Sequence, residues 1–255
     1  MELDERMRDV YSRQIMMKEI GLKGQQKLAG SSVLIVGCGG LGAPVLYYLT
    51  AMGIGHLGLC DGDMVSFTNL NRQILFTMDD VFMPKASTSK KRLLKLNPKL
   101  KVHTYDQLMT AELADTIVPV FDIVVDCLDN FETRFILNDA CIAARKPLVH
   151  AGIEGFYGQL ITITPGKGPC LRCLFPKGIK EKEPKKPAGV IGPTPGVIGA
   201  MQAMEVAKYL LRLPISNDGL ITYDGLNMTM EKVEITANPD CICAKKPRVR
   251  RRARK

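Results

Sequence analysis

Apolar positions in the first 150 residues fall into short unbroken runs separated by mixed segments. Ser31–Gly37 (SSVLIVG), His56–Asp61 (HLGLCD), Leu100–Tyr105, Phe121–Cys127 (FDIVVDC) and Pro147–His150 are runs of this kind. An uninterrupted apolar run of four to seven residues suits a strand buried on both faces of a parallel sheet. Between the runs lie helix-like stretches: residues 5–28, Leu41–Met52, Pro84–Leu96 and Phe131–Arg145. Gly30, Gly53 and Asn97-Pro98 supply the stops. Five such alternations predict an α/β fold built on a doubly wound sheet.

After Gly152 the rhythm changes. Tyr157–Thr164 (YGQLITIT), Gly219–Asp224 and Met228–Thr236 alternate β-branched and polar residues with no crossover helix between successive runs, which predicts antiparallel strands extending the sheet. A Pro- and Lys-rich loop, Pro176–Gly196, and a helix, Val197–Leu213, complete the second half. The opening Met1-Glu2-Leu3-Asp4-Glu5-Arg6 has no apolar h-region, and no long apolar run spans a membrane, so a cytoplasmic protein is expected.

Charge changes this picture little. The formal net charge is +9, but the last twelve residues hold eight Lys and Arg and no acid. Removing those eight charges leaves +1 on the other 243 residues, so residues 245–255 read as a basic, solvated tail on a near-neutral body. With no aromatic residue there to stack on bases, nucleic acid is not the expected partner. Eight cysteines matter more. Cys38, Cys60, Cys127 and Cys141 stand singly among apolar neighbours, whereas Cys170–Cys173 forms a CxxC and Cys241–Cys243 a CxC. In a cytosolic chain such pairs point to a metal before a disulfide.

Gly37-Cys38-Gly39-Gly40-Leu41-Gly42 lies between a predicted strand and a predicted helix, the frame in which a glycine loop and a helix N-terminus cradle phosphate in a Rossmann-like fold. Asp61 ends the next strand, where a carboxylate can hold ribose hydroxyls. An NAD-dependent oxidoreductase fits these features equally well. The residues beyond Asp61 fit it less. Asp63, Asn69, Arg72 and Gln73 form a dense polar stretch past that strand. Lys85 sits in a first helical turn, where the macrodipole disfavours a cation, and Asp129-Asn130 comes after the fourth strand. Cations and a carboxylate around a phosphate loop suit a triphosphate with Mg²⁺.

GCGGLG, DGDMVSFTNLNRQILF, MPK, DCLDN, GVIGAMQAMEVAK and the cysteine pairs, in this order, resemble the ThiF/MoeB/HesA family, from about Tyr11 to Cys243. Residues 69–77 resemble the thiamine branch somewhat more than the molybdopterin branch. The resemblance implies a single adenylation domain over 1–244, with a nucleotide-binding core (30–150), an antiparallel extension (151–244) and the tail beyond. It implies that MgATP adenylates the C-terminal Gly-Gly carboxylate of a ubiquitin-like sulfur carrier, releasing pyrophosphate. Under it, Gly40 lies in the phosphate loop, Asp61 holds the ribose, and Asn69, Arg72 and Lys85 contact the phosphates. Asp129 holds Mg²⁺ with Asn130 beside it, and Arg13 reaches into the partner subunit of a homodimer. The four paired cysteines hold Zn²⁺, and a sulfur donor is a further possible partner.

Two departures stand out. The second cysteine pair is one residue shorter than the family's CxxC, with Ala244 where a cysteine usually falls. The crossover loop carries Lys185 where several members carry a reactive cysteine, and no cysteine occurs between Cys173 and Cys241. An enzyme that adenylates without forming a covalent link through that loop is therefore expected. The three histidines, His56, His103 and His150, form no catalytic grouping in the sequence and read as structural. Other readings remain open: carboxylate activation on modified tRNA, an NAD-dependent oxidoreductase, and a non-enzymatic nucleotide-binding scaffold.

Overall fold

The structure is a computed structural model describing residues 3–176, 178 and 189–244; Lys185, most of the Pro- and Lys-rich loop and the basic tail at 245–255 lie outside the described residues. The elements run α1 (Glu5–Val10), α2 (Ser12–Ile15), α3 (Gly21–Ala29), β1 (Ser32–Val36), α4 (Gly42–Ala51), β2 (His56–Cys60), α5 (Lys85–Leu96), β3 (Lys101–Tyr105), α6 (Ala111–Ile117), β4 (Ile123–Asp126) and α7 (Phe131–Ala144). The second half holds β5 (Leu148–Glu154), β6 (Tyr157–Ile163), α8 (Leu171–Leu174), α9 (Pro193–Leu211), β7 (Gly219–Asp224) and β8 (Thr229–Glu234).

All eight strands join one sheet in the order β3-β2-β1-β4-β5-β6-β7-β8, parallel from β3 through β5 and antiparallel beyond. The strand order reverses between β1 and β4, and a crevice beyond the carboxyl ends of the strands is expected at that point. Why β1 is apolar without interruption is now visible. Val33 and Ile35 join one core with α4 and α9, while Leu34 and Val36 join a second core with α6 and α7.

Three expectations are corrected. The amino-terminal stretch 5–28 is three short helices: Tyr11 leaves helical geometry between α1 and α2, and Gly21 at φ +58° turns the chain into α3. A helix that the sequence pattern does not predict, α6, lies between β3 and β4, its first turn capped by Thr110 Oγ1 accepting from Leu113 N at 3.2 Å. The late helix begins at Pro193 rather than Val197 and ends at Leu211. Its prolines fit the first turn, where an N–H has no intrahelical partner to lose.

Two glycines set the crevice. Gly37 has φ +98°, and a Cβ there would stand 2.5 Å from Cys127 O. A Cβ on Gly42 would stand 2.1 Å from Gly37 O. Gly42→Ala should therefore destabilise the protein by about 1–3 kcal/mol through overpacking. That is a drop of roughly 2–12 °C in Tm for a chain of this size. An unchanged melting curve would show that the loop gives way freely.

Candidate active site

The glycine loop bends from the end of β1 into α4, whose first turn is closed by Ala43 N donating to Gly39 O at 2.9 Å. The Cys38 amide within the loop donates to Asp61 Oδ2 at 2.7 Å, and Asp63 N donates to Asp61 Oδ1 at 2.9 Å. Asp61, just past β2, thus ties the loop to the neighbouring strand end. Burial holds its carboxyl above the ordinary 3.8, against the lowering pull of Lys85 and the two amides. Lys85 is 6% exposed at the start of α5 and donates to Asp63 Oδ2 at 2.8 Å. A buried ammonium so placed is held by two carboxylates, which offsets the helix dipole it opposes.

Arg72 and Gln73 lie against the loop. A Cβ on Gly40 would be 3.6 Å from Arg72 Cγ and 3.4 Å from Pro195 of α9, and one on Gly39 would be 3.4 Å from Gln73 Nε2. Gln73 is buried and its Oε1 accepts no hydrogen bond among the described residues. Arg72 Nη1 donates to Thr68 O at 2.8 Å. Two other expected residues have local duties. Asn69 Oδ1 accepts from Ser66 N at 3.0 Å, and Asn130 Oδ1 accepts from Thr133 N at 2.9 Å, capping α7. Asp129 is exposed in the loop after β4, two residues past the Cys127 carbonyl that Gly37 approaches.

Arg13 is not brought to this crevice. It is exposed on α2, next to Gln14, whose Nε2 donates to Met52 O at 3.2 Å beyond the far end of α4. The ten residues of α4 separate that end from the glycine loop, about 15 Å at 1.5 Å per residue.

Sequence pattern alone misses a buried polar group beneath the crevice. Asp126, fully buried at the end of β4, accepts from His150 Nδ1 at 2.6 Å and lies 3.7 Å from Arg134 Nε. Because a carboxylate only accepts, Nδ1 carries the proton. Burial lowers the His150 pKa despite Asp126, so the ring is neutral with Nε2 bare. Gln202 of α9 bridges the ends of β4 and β5, donating to Asp126 O at 2.8 Å and Val149 O at 3.2 Å. A single Asp at a strand end gives no sequence signal separating it from Asp129 three residues later.

Behind the sheet, the four paired cysteines meet. Their sulfurs all lie within 4.8 Å of one another, with Cys170 to Cys241 and Cys173 to Cys243 each at 3.5 Å. Tetrahedral Zn²⁺ with bonds of about 2.3 Å places its sulfurs about 3.8 Å apart, so the donor set fits. A disulfide needs about 2.05 Å, and all eight cysteines are free. Cys38, Cys60, Cys127 and Cys141 are buried, as their apolar sequence neighbours suggest.

A glycine loop at the reversal of a doubly wound sheet, flanked by carboxylates from two strand ends and by Arg72 and Lys85, defines a nucleotide-binding α/β protein. The chain belongs to the ThiF family, whose sequence profile matches residues 11–243. It is 41% identical to the sulfur carrier protein adenylyltransferase of Thermus thermophilus, over 94% of this chain and 92% of that one. It is also 41% identical to the sulfur carrier protein ThiS adenylyltransferase of Escherichia coli, over 91% and 94%. Among solved structures it resembles E. coli MccB with ATP, at a TM-score of 0.77 and 30% identity, covering 87% of this chain and 69% of that one. No helix among the described residues is long and apolar enough to cross a membrane.

The raised pKa of Asp61 has a consequence for stability. A carboxyl that binds its proton more tightly when folded stabilises the fold below its ordinary 3.8, and that contribution is lost as pH rises through the raised value. Asp61→Asn lacks this loss. Urea unfolding from about pH 4 to pH 7 should show the variant gaining stability relative to the parent as pH rises, while its ATP affinity falls. A flat difference across that range would contradict the assignment.

Proposed function

We propose that the protein uses MgATP to adenylate the C-terminal Gly-Gly carboxylate of a ubiquitin-like sulfur carrier, releasing pyrophosphate, for thiamine thiazole or molybdopterin sulfur transfer. The observation that carries this reading is the placement of Arg72, Lys85 and Asp129 around one glycine loop. Hydride transfer has no use for that set. The near relatives from Thermus thermophilus and E. coli, named for carrier adenylation, support the same reading.

The carrier carboxylate, with a pKa of about 3.5, is ionised at neutral pH and needs no general base. One of its oxygens bonds to the α-phosphorus, and the bond from that phosphorus to the α,β-bridging oxygen breaks, so pyrophosphate leaves with the electron pair. The protein's part is in-line placement and neutralisation of charge on the leaving group. Gly37–Gly42 bring backbone amides to the phosphates, Asp61 takes the ribose hydroxyls, and Arg72 and Lys85 take the phosphate charge, with Asn69 and Gln73 alongside. Asp129 offers the hard oxygen that Mg²⁺ prefers; when bound, the ion neutralises phosphate oxygens. Arg13, remote from its own crevice, serves the neighbour's in a homodimer. The crossover segment, bearing Lys185 and no cysteine, leaves the adenylated carrier unlinked to the enzyme, ready for its sulfur donor. The protein works in the cytoplasm.

Exchange of labelled pyrophosphate into ATP in the presence of a Gly-Gly carrier tests the activity. Arg13→Ala and Asp129→Ala should each lose it by about a hundredfold or more, and a mixture should regain part of it through mixed dimers. Mixed dimers that stay inactive would remove the shared site.

Cys170, Cys173, Cys241 and Cys243 hold one structural Zn²⁺ per chain in this reading. Structural zinc contributes to folding free energy directly. Cys170→Ser should lower Tm by several degrees while ATP affinity changes less than about twofold. A metal-free protein by elemental analysis after gentle purification would refute the assignment.

A further inference from the structure

Arg134 is 6% exposed on the first turn of α7, with its guanidinium turned toward the buried Asp126. Its Nη2 donates to Leu128 O and, at 3.1 Å, to Ala151 O of β5. Its Nε lies 3.7 Å from Asp126 Oδ2. The other Asp126 oxygen, Oδ1, accepts from Leu128 N at 3.0 Å. Both backbone polar groups of Leu128, the residue before Asp129, are therefore held by side chains that face each other across a buried ion pair. On the other side of Asp129, Asn130 is pinned by Thr133 N and by Arg134 N, which donates to Asn130 O at 3.3 Å.

We infer that Arg134, with Asp126, is a positioning residue that fixes the direction of the Asp129 carboxylate. This rests on the reading of Asp129 as the Mg²⁺-holding group. Asp129 is exposed and its Oδ1 accepts from Asn130 Nδ2 at 3.5 Å, so the backbone that carries both residues helps set where the carboxylate points. Three details fit orientation better than simple core filling. A buried Arg is costly unless its donors are used; Arg134 Nη2 donates to the main-chain carbonyls of Leu128 and Ala151, while its Nε faces Asp126 Oδ2 without a hydrogen bond. Phe131 underlies the guanidinium, 5.2 Å from its ring centroid, which fixes the plane of the fork. His150 Nδ1 lies 2.6 Å from the same Oδ2 that faces Arg134, so that oxygen is held from both sides. A lysine retains the charge but has a single nitrogen and no planar fork.

The test uses the intact protein as Arg134→Lys, Asp126→Asn, Asp129→Ala and Leu137→Ala, the last removing a fully buried apolar side chain of α7. ATP binding is measured by calorimetry across a Mg²⁺ series, with Tm alongside. Arg134→Lys and Asp126→Asn should each raise the Mg²⁺ concentration for half-maximal ATP binding by about tenfold or more, as loss of groups that orient a metal ligand does. ATP binding without Mg²⁺ should stay within about twofold. Leu137→Ala should lower Tm and leave the Mg²⁺ series unmoved. Parental Mg²⁺ dependence in folded Arg134→Lys or Asp126→Asn overturns the inference, and so does an equal shift in Leu137→Ala. If one of the two variants fails to fold, the other decides by the same criterion. If neither folds, the pair is a requirement of folding and the positioning role is refuted. Asp129→Ala tells the two readings apart: if it keeps the parental Mg²⁺ dependence, the Asp129 assignment itself falls.

Discussion

The glycine loop takes its shape because two backbone segments touch where side chains would keep them apart. A Cβ on Gly37 would overlap the carbonyl of Cys127, and one on Gly42 would overlap the carbonyl of Gly37. The loop after β1 therefore folds back on itself and against the end of β4 at the point where the sheet order reverses. Every candidate group takes its place from that contact. The loop leads into α4, Asp61 reaches across from β2 to accept from the Cys38 amide, and Asp129 is exposed two residues beyond the carbonyl that Gly37 approaches.

Charge is arranged to tolerate this crowding. Asp61 is raised by burial and would be protonated more readily without Lys85 nearby. Lys85 would lose its hydrogen-bonded carboxylate without Asp63. Asp126 would be an unpaired buried anion without Arg134 and His150. Removing Asp63 leaves the buried Lys85 cation without its salt bridge, and removing Arg134 leaves the buried Asp126 without its cation, which costs more than either pair itself contributes. The crevice is thus rigid electrostatically as well as sterically, the condition that charge stabilisation in phosphoryl chemistry requires.

Much of this was legible because period and composition reported burial directly. Strands buried on both faces read as unbroken apolar runs, and the change after Gly152 to alternating residues marked the antiparallel extension, whose last strand, β8, is exposed throughout. The glycine loop, Asp61, Arg72, Lys85 and Asp129 were visible because motif order fixes which strand end each one succeeds. The parts that stayed hidden depended on tertiary partners. Asn69 and Asn130 each cap their own turn, a duty that a polar stretch does not advertise. Seven residues of α6 gave too little periodicity to stand out from a loop. The bracket of Asp126, Arg134 and His150 joins three elements, and its members look like an ordinary strand end, helix turn and core histidine until the sheet brings them together.

One helix links the two chemically distinctive regions of the molecule. Arg134 and Asn138 lie four residues apart on α7, on one face and about 6 Å apart along the axis. The first holds the loop that bears Asp129. The second accepts from Leu171 N at 3.1 Å, anchoring the CxxC segment, while the adjacent Asp139 accepts from Arg172 Nε at 2.8 and 3.0 Å. The shortened CxC then needs no distortion of the sheet, because the first cysteine pair is already positioned by α7 and the later segment comes to it, Asn238 N pointing at Cys173 Sγ from 3.4 Å. The one-residue shortening falls in the segment past the end of β8. The first pair is tied to α7, so moving it would move that helix, and with it the loop that carries Asp129.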